Sequence, residues 1–290
     1  MSRRHLSAIG SHLSVAGGLP RCLPRADALG AEVVQLFLAS PRAWRTPPID
    51  VARDEGFRAS CAGRSLPVFV HAPYLINFGS PTAATLEQSS AALEFSLRRG
   101  ASIGALGVVV HAGNAVLGND RDVAMKRLRE AVLRVLDRVP DGPRLLIEPT
   151  AGGGLALASD AESLAAYLDV LDRDERIGVC LDTCHMHATG YDLSTVQDFR
   201  AALREFGAAA GSNGVELVHV NDSRDPVGSK RDRHAAIGAG TIGRDAFAAL
   251  FSSPVTRGVP MVVESTDDDQ ASDIATLKAL RAESASTRSK

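Results

Sequence analysis

The chain has 290 residues, of which 45% are hydrophobic and 23% charged, and its 32 basic and 34 acidic side chains give a formal net charge of −2. This composition excludes a chain that is disordered throughout, and the charge balance excludes nucleic-acid binding through bulk positive charge, although a local basic face remains compatible with it. Four cysteines are too few for a disulfide scaffold, so we expect them to be reduced. No apolar stretch is long enough for a membrane span, and we expect none.

Eight short apolar runs recur along the chain, and longer segments with helical periodicity separate them. The runs are continuous rather than alternating, which is typical of strands buried on both faces of a parallel sheet. The predicted strands are Ser7–Gly10, Val33–Leu38, Pro67–His71, Leu106–His111, Arg144–Glu148, Ile177–Asp182, Val215–Val220 and Pro260–Glu264.

Between the runs, apolar residues recur at helical spacing, most clearly in Thr85–Gly100 and Val123–Val139. Asp160 is predicted to cap a helix over Ser163–Leu171, and Asp245 is predicted to open a shorter helix at Ala246–Leu250.

The spacing between successive runs leaves room for one helix at each step. We therefore predict an α/β protein with a single (β/α)8 TIM barrel over residues 1–280, and an open, doubly wound sheet is the alternative. Residues 281–290 are polar, and we predict that they form a disordered tail.

Potential metal ligands lie at the ends of these strands or just beyond them. They are His71, His111, Glu148, Asp182, His185, His219, Asp232, His234 and Glu264. The carboxyl ends of TIM-barrel strands meet at one face, so we expect the five imidazoles and four carboxylates to lie in one bowl. Carboxylates this close would repel one another, and divalent cations would relieve that repulsion. Such ligands suit zinc, manganese or iron, and nine of them with one bridging carboxylate can hold three ions.

Metal clusters of this kind hydrolyse phosphodiesters, which makes DNA a candidate substrate. Basic side chains in the loop 222–234 lie on the same face and are candidates for phosphate contact, although a solvated surface loop would look alike. Arg42 and Trp44 in one loop, and Tyr74 and Leu75 in the next, could open a base stack or could simply pack in their loops.

Six segments resemble signatures of the endonuclease IV family of apurinic/apyrimidinic endonucleases. They are Gly10–Ser14 with Gly17 and Gly18, His71–Asn77, Ile147–Glu148 followed by Thr150–Gly152, Gly178–His185, His219–Ser223 and Asp232–His234. The resemblance extends from about Ile9 to Leu280. Three positions depart from the family pattern: Pro149 stands where asparagine is usual, Ala43 where a polar glutamine is common, and Arg224 where lysine is frequent, which keeps the charge.

The resemblance implies three zinc ions, with manganese or iron able to replace zinc at some positions. It implies that His71, His111 and Glu148 bind the first ion, and that Glu148 bridges to a second ion held by Asp182, His219 and Glu264. It implies that His185, Asp232 and His234 hold the third. Glu148 and Glu264 are the implied catalytic carboxylates, and the implied DNA-contacting residues are Arg42, Tyr74, Leu75 and Arg231.

The implied reaction is hydrolysis of the phosphodiester 5′ to an abasic site to leave a 3′-hydroxyl, with removal of blocking groups from 3′ ends as a second activity. The implied partner is double-stranded DNA carrying either lesion. We expect a monomer in a bacterial-type cytoplasm, associated with the nucleoid through DNA.

Two other functions remain open. A metal-dependent sugar isomerase or epimerase could use the same barrel, but it would need only a smaller set such as Glu148, Asp182, His219 and Glu264. A non-catalytic binder of DNA lesions is opposed only by the completeness of the ligand set.

Overall fold

In the computed structural model, which describes residues 6–116, 118 and 120–287, eight parallel strands close into a barrel. The barrel strands are β1 Ile9–Leu13, β2 Val34–Phe37, β3 Val68–His71, β4 Gly107–His111, β5 Arg144–Glu148, β6 Ile177–Asp182, β7 Val215–His219 and β10 Met261–Val263. Neighbours in the barrel follow the chain order, and β10 closes it by pairing with β7 and β1. A short antiparallel ribbon of β8 Asp222–Ser223 and β9 His234–Ala235 lies between β7 and β10. The predicted (β/α)8 barrel is confirmed, and the doubly wound sheet is excluded.

Helices follow the strands along the chain. They are α1 Cys22–Leu29, α2 Val51–Arg64, α3 Ala83–Ile103, α4 Arg121–Arg138, α5 Ala161–Val170, α6 Thr183–Thr189, α7 Val196–Ala210, α8 Ala248–Ser252 and α9 Gln270–Thr287, with short 3-10 turns at Leu19–Arg21, Gly211–Asn213 and Arg244–Phe247. No helix in the described part of the chain combines the length and the apolar character needed to cross a bilayer.

An apolar plug fills the inside of the barrel. Its members are Val33, Phe69, Val109, Leu146, Cys180, Leu217 and Val262, all nearly or fully inaccessible to solvent. Successive side chains of a strand point to opposite faces, so the residue two positions further along each strand also points inward. Those next positions hold Gln35, His71, His111, Glu148, Asp182, His219 and Glu264. A polar layer therefore lies directly on the apolar plug, at the carboxyl-terminal mouth of the barrel.

The first strand differs from its prediction. We expected Ser7–Gly10, but β1 covers Ile9–Leu13. Ser11 and His12 are polar and interrupt the apolar run in the sequence, whereas Ser11 is fully buried and its hydroxyl donates to the carbonyl of Val263 at 3.2 Å. Polar residues belong to this strand because it borders the polar layer at the mouth.

The two predicted caps have different outcomes. The Asp160 carboxylate accepts from the Ser163 amide and begins α5, as predicted. Asp245 caps nothing, because Gly243 precedes the 3-10 turn there and the exposed Asp245 instead pairs with Arg244 at 2.7 Å.

The predicted disordered tail is wrong for residues 281–287, since α9 continues to Thr287. Arg281 anchors this helix: its guanidinium donates to the carbonyl of Ser7 at 2.7 Å and to both carboxylate oxygens of Glu32 at 2.6 and 2.9 Å. Residues 288–290 of the predicted tail lie outside the described residues.

Candidate metal centre

The first group of candidate ligands consists of His71, His111 and Glu148. The Nε2 atoms of His71 and His111 lie 3.3 and 3.4 Å from Glu148 Oε2. His71 Nδ1 donates to the carbonyl of Ala72 at 2.7 Å, so its Nε2 is free to accept a cation. Among the described residues, no hydrogen bond is made to the buried Glu148 Oε2. Two imidazole nitrogens and a carboxylate oxygen therefore face one small space.

The second group joins Asp182, His219 and Glu264, whose potential ligand atoms lie within 4.8 Å of one another. His219 Nδ1 is 3.2 Å from Glu148 Oε1 and 3.3 Å from Glu264 Oε2. Glu148 thus borders both groups, with one carboxylate oxygen towards each. This is the arrangement that a bridging carboxylate requires.

The third group contains His185, Asp232 and His234. Asp232 lies between the two imidazoles, with Oδ2 at 3.3 Å from His185 Nε2 and Oδ1 at 2.9 Å from His234 Nε2. His185 is oriented by its Nδ1, which donates to the carbonyl of Pro149 at 2.9 Å. Proline keeps its carbonyl, so the departure at position 149 does not remove this contact.

Further contacts connect the three groups. Glu148, Asp182 and His185 also lie within 4.8 Å of one another, and so do Asp182, Cys184 and His234. The sequence analysis did not include Cys184 among the ligands. Burial raises the pKa of its thiol, as does the neighbouring Asp182 carboxylate, which favours the protonated thiol over the thiolate that binds metals.

The charges of this cluster are strongly coupled. Burial opposes the ionised form of Glu148, but the imidazoles of His219 and His111 outweigh it and hold the pKa of the carboxyl well below its usual range. Burial lowers the pKa of His111 to about 4. Burial also lowers the pKa of His234, but the Asp182 and Asp232 carboxylates outweigh this and raise it to about 9. A protonated His234 thus balances the neighbouring carboxylates, and a cation could take the place of its proton.

Three polar residues of the site were missed by the sequence analysis. Asn221 Nδ2 donates to Asp182 Oδ2 at 2.8 Å and to Glu264 Oε2 at 3.1 Å. Gln35 and His12 contact each other and Glu264. The period-two alternation of β2 could have identified Gln35, which follows the inward-facing Val33 by two residues.

Tyr74 lies beside the first group. Its ring is 46% exposed and stacks on His111 with centroids 5.4 Å apart, and it meets the edge of His71 at 5.3 Å. Its amide donates to the carbonyl of Pro41 at 3.0 Å, which joins the loops after β2 and β3. Arg42 is exposed in the first loop, and Leu75 is half-buried in the second.

The basic loop 222–234 carries less free charge than its sequence indicates. Arg233 binds the Asp225 carboxylate through two guanidinium nitrogens, and the exposed Arg231 lies 3.6 Å from the same carboxylate. Arg224 donates to the carbonyl of His234 at 2.8 Å.

A cavity of about 540 Å³ opens next to the second group. The loops after β1, β2 and β10 surround it, and its lining includes His12, Phe37, Pro41, Tyr74, Glu264 and Gln270. Its floor is therefore part of the polar layer, and its rim includes Tyr74, which was predicted to contact DNA.

Comparisons with known proteins agree with this architecture. A family model described as a xylose isomerase-like TIM barrel matches residues 23–288. A probable endonuclease 4 from Streptomyces coelicolor is 48% identical over 278 residues, which cover 94% of this chain and 95% of the relative. Endonuclease IV from Thermus thermophilus has 34% identity and a TM-score of 0.84, over 95% of this chain and 99% of that chain. An L-ribulose 3-epimerase structure, at 19% identity and a TM-score of 0.71 over 97% of this chain and 98% of that chain, shares the fold alone. The chain belongs to the endonuclease IV family.

Proposed function

We propose that this protein is an endonuclease that hydrolyses the phosphodiester 5′ to abasic sites in double-stranded DNA, leaves a 3′-hydroxyl and removes blocking groups from 3′ ends. One observation carries the proposal: the buried carboxylate of Glu148 is shared by two groups of ligands, and its Oε2 is 3.3 and 3.4 Å from two imidazole nitrogens without a hydrogen bond. A buried carboxylate oxygen left in this way is costly unless a cation is present.

The proposed ligands divide among three zinc ions as the geometry groups them. The first set is His71, His111 and Glu148; the second is Glu148, Asp182, His219 and Glu264; and the third is His185, Asp232 and His234. Ions held there would supply an acidified water as nucleophile and positive charge for the phosphate oxygens. Glu148 and Glu264 would act as the catalytic carboxylates by holding the cations that position the reacting phosphate.

The loops above the barrel would recognise the lesion. Tyr74, Leu75 and Arg42 would enter the gap left by a missing base, and Arg231 would contact a phosphate. A nucleotide without its base is the least costly to unstack, so selectivity would come from the deformation of DNA rather than from hydrogen bonds to bases. The cavity beside Tyr74 has room for an extruded sugar.

A sugar isomerase or epimerase would use the same kind of barrel but not this number of ligands. The second group alone would suffice for one cation. The first and third groups would then serve no purpose, and their buried imidazoles and carboxylates would remain a cost.

A fluorescent duplex with one tetrahydrofuran abasic analogue tests the proposal. We expect the protein to nick the strand immediately 5′ to the analogue, to leave an intact duplex of the same sequence uncut, and to lose this activity after prolonged chelation. Cleavage of both duplexes at equal rates, or binding without cleavage by metal-loaded protein, would refute it.

A further inference from the structure

Gln35 is fully buried in β2, and its amide group contacts three side chains of the polar layer. Its Oε1 is 2.8 Å from His219 Nε2, while its Nε2 is 3.0 Å from Glu264 Oε1 and 2.9 Å from His12 Nδ1. Two of these partners, His219 and Glu264, are proposed ligands of one cation. Gln35 itself is neither one of the proposed metal ligands nor one of the proposed DNA-contacting residues.

The chemistry of the partners determines where the protons lie. A carboxylate only accepts hydrogen bonds, so the amide atom next to Glu264 must be the NH₂ group. The other amide atom is then the oxygen, and His219 Nε2 must carry the proton that it accepts. The second hydrogen of the NH₂ group points to His12 Nδ1, which then acts as the acceptor. The proton of a neutral His12 is therefore on its buried Nε2, for which the described residues provide no hydrogen-bond partner.

We propose that Gln35 is a positioning residue that holds the His219 ring and the Glu264 carboxylate in the orientation that binds a cation, and that keeps His12 in its Nε2–H form. The inference rests on the metal assignment of the proposed function. With Nε2–H donated to Gln35, the His219 ring presents Nδ1 to Glu148 Oε1 and Glu264 Oε2, 3.2 and 3.3 Å away. Glu264 is held at both oxygens, at Oε1 by Gln35 and at Oε2 by Asn221.

These hydrogen bonds matter because their partners are shielded from water. His219 is fully buried, so water cannot replace Gln35 as the partner of Nε2–H. Loss of a residue that orients a ligand typically lowers metal affinity by about 10–100-fold. His12 would also change, because without the amide its nearest polar neighbour is Glu264 Oε1, 3.5 Å from Nδ1. A proton on Nδ1 would then be favoured.

The test uses Gln35→Met, which keeps the volume and removes both the donor and the acceptor. The matched control is Gln270→Met. Gln270 is also buried and borders the same cavity, but among the described residues its amide donates to two backbone carbonyls, those of His12 and Ser265, and to no side chain. Each zinc-loaded protein is titrated with a chromophoric chelator, and the imidazole nitrogens are observed by NMR after labelling with ¹⁵N-histidine.

We expect Gln35→Met to release one zinc ion at roughly 10–100-fold lower chelator concentration than the wild type, and its His12 to move from the Nε2–H to the Nδ1–H form. Gln270→Met should match the wild type in both measurements. Unchanged zinc release together with unchanged His12, or equal zinc release from both variants, would overturn the proposal.

A second variant covers the case in which Gln35→Met does not fold. Gln35→Asn keeps a polar amide but shortens the side chain by one methylene group, so its NH₂ group is drawn away from Glu264 and His12 and the His12 proton should shift. A His12 signal identical to that of the wild type would refute the role of Gln35. The His12 signal is therefore also compared in the metal-free proteins. A wild type that binds fewer than three ions would count against the proposed function, whereas a His12 proton that is the same in the metal-free wild type and the metal-free variant would count against the role of Gln35.

Discussion

At the scale of single residues, Glu148 is the ligand that two groups share, because its two carboxylate oxygens face different ligand groups. Glu148→Gln keeps the size of the side chain, but a neutral amide bridges two cations poorly. We expect cleavage of the abasic duplex to fall by at least ~100-fold, which is about 2.7 kcal/mol of transition-state stabilisation, with the fold retained. The measurement is single-turnover nicking, with circular dichroism as the check on folding.

Glu216→Gln is the matched control for that substitution. Glu216 lies on the same barrel three residues before His219, but it is part-exposed and pairs with Arg144 at 2.9 Å. Its activity should stay near that of the wild type. Near-normal nicking by Glu148→Gln would show that the bridging assignment is wrong.

Tyr74 has two surroundings whose effects need to be separated: it is part-exposed at the rim of the cavity, and its ring packs on His71 and His111. Base–aromatic stacking is worth about 1–3 kcal/mol. We therefore expect Tyr74→Ala to weaken binding and nicking of abasic duplex by about tenfold, ~1.4 kcal/mol, while zinc content stays the same.

Tyr74→Phe keeps the ring and should remain close to the wild type. Cleavage of a small phosphodiester, which needs no wedge, is the second measurement for both variants. If Tyr74→Ala impaired the small substrate as much as the duplex, the ring would be a support of the first ligand group and not a wedge.

At the scale of elements, a buried carboxylate organises the segment that follows the third ligand group. Asp222 is fully buried and accepts hydrogen bonds between 2.8 and 3.3 Å from five backbone amides. These amides belong to Ser223, Gly238, Gly240, Ile242 and Gly243. Four of these amides follow His234 closely along the chain, so the carboxylate fixes the segment that leads away from this member of the third group.

Asp222→Asn replaces one acceptor oxygen by a donor, which would face backbone N–H groups. We expect a loss of about 2–3 kcal/mol in the free energy of unfolding, since hydrogen bonds to charged groups contribute about 1.5–3 kcal/mol. Urea unfolding measures this loss, and Asp245→Asn, at an exposed position, is the control. Equal stability of the two variants would contradict the role of Asp222.

The last helix is tied to the first strand through Arg281 and Glu32. Burial raises the pKa of Glu32, but the hydrogen bonds from Arg281 and from the Ile9 amide outweigh it and lower the pKa below the ordinary value of 4.5. A depressed pKa means that the stabilisation is present above about pH 4.5 and is lost as pH falls through the folded-state value.

Glu32 is only part-buried, so the pair is worth at most about 1 kcal/mol. We expect Glu32→Gln to be less stable than the wild type at pH 7 by up to that amount. The difference should shrink as the pH falls below 4.5 and vanish below the folded-state pKa of Glu32. Urea unfolding of both proteins side by side at each pH measures it. A difference that did not shrink at any pH below 4.5 would exclude the carboxylate as its source.

At the scale of the whole molecule, the sequence predicted the barrel well because parallel strands buried on both faces produce continuous apolar runs, and because β5 and β6 end in ligands that follow those runs directly. It predicted less well where a contact joins distant positions. The Gln35–His219 hydrogen bond spans 184 residues, and the anchor of Arg281 on Ser7 spans 274. Local patterns carry no information about such pairs, so the role of Gln35 was missed. For the same reason, the polar residues from Arg281 onwards cannot be distinguished from a disordered tail by sequence.

The metal cluster should also hold the barrel together, since its proposed ligands come from five of the eight barrel strands, from the residue that follows β10, from α6 and from the loop 222–234. Cations that bind the folded chain but not the unfolded chain stabilise it, by about 4 kcal/mol at 1,000 times Kd. We therefore expect elemental analysis to give about three ions per chain, mainly zinc, and prolonged chelation to lower Tm by several degrees. Added zinc should restore both Tm and nicking. A Tm that is unchanged after complete removal of metal would mean that the carboxylates and imidazoles satisfy one another without cations, and the assignment of all three sites would fail.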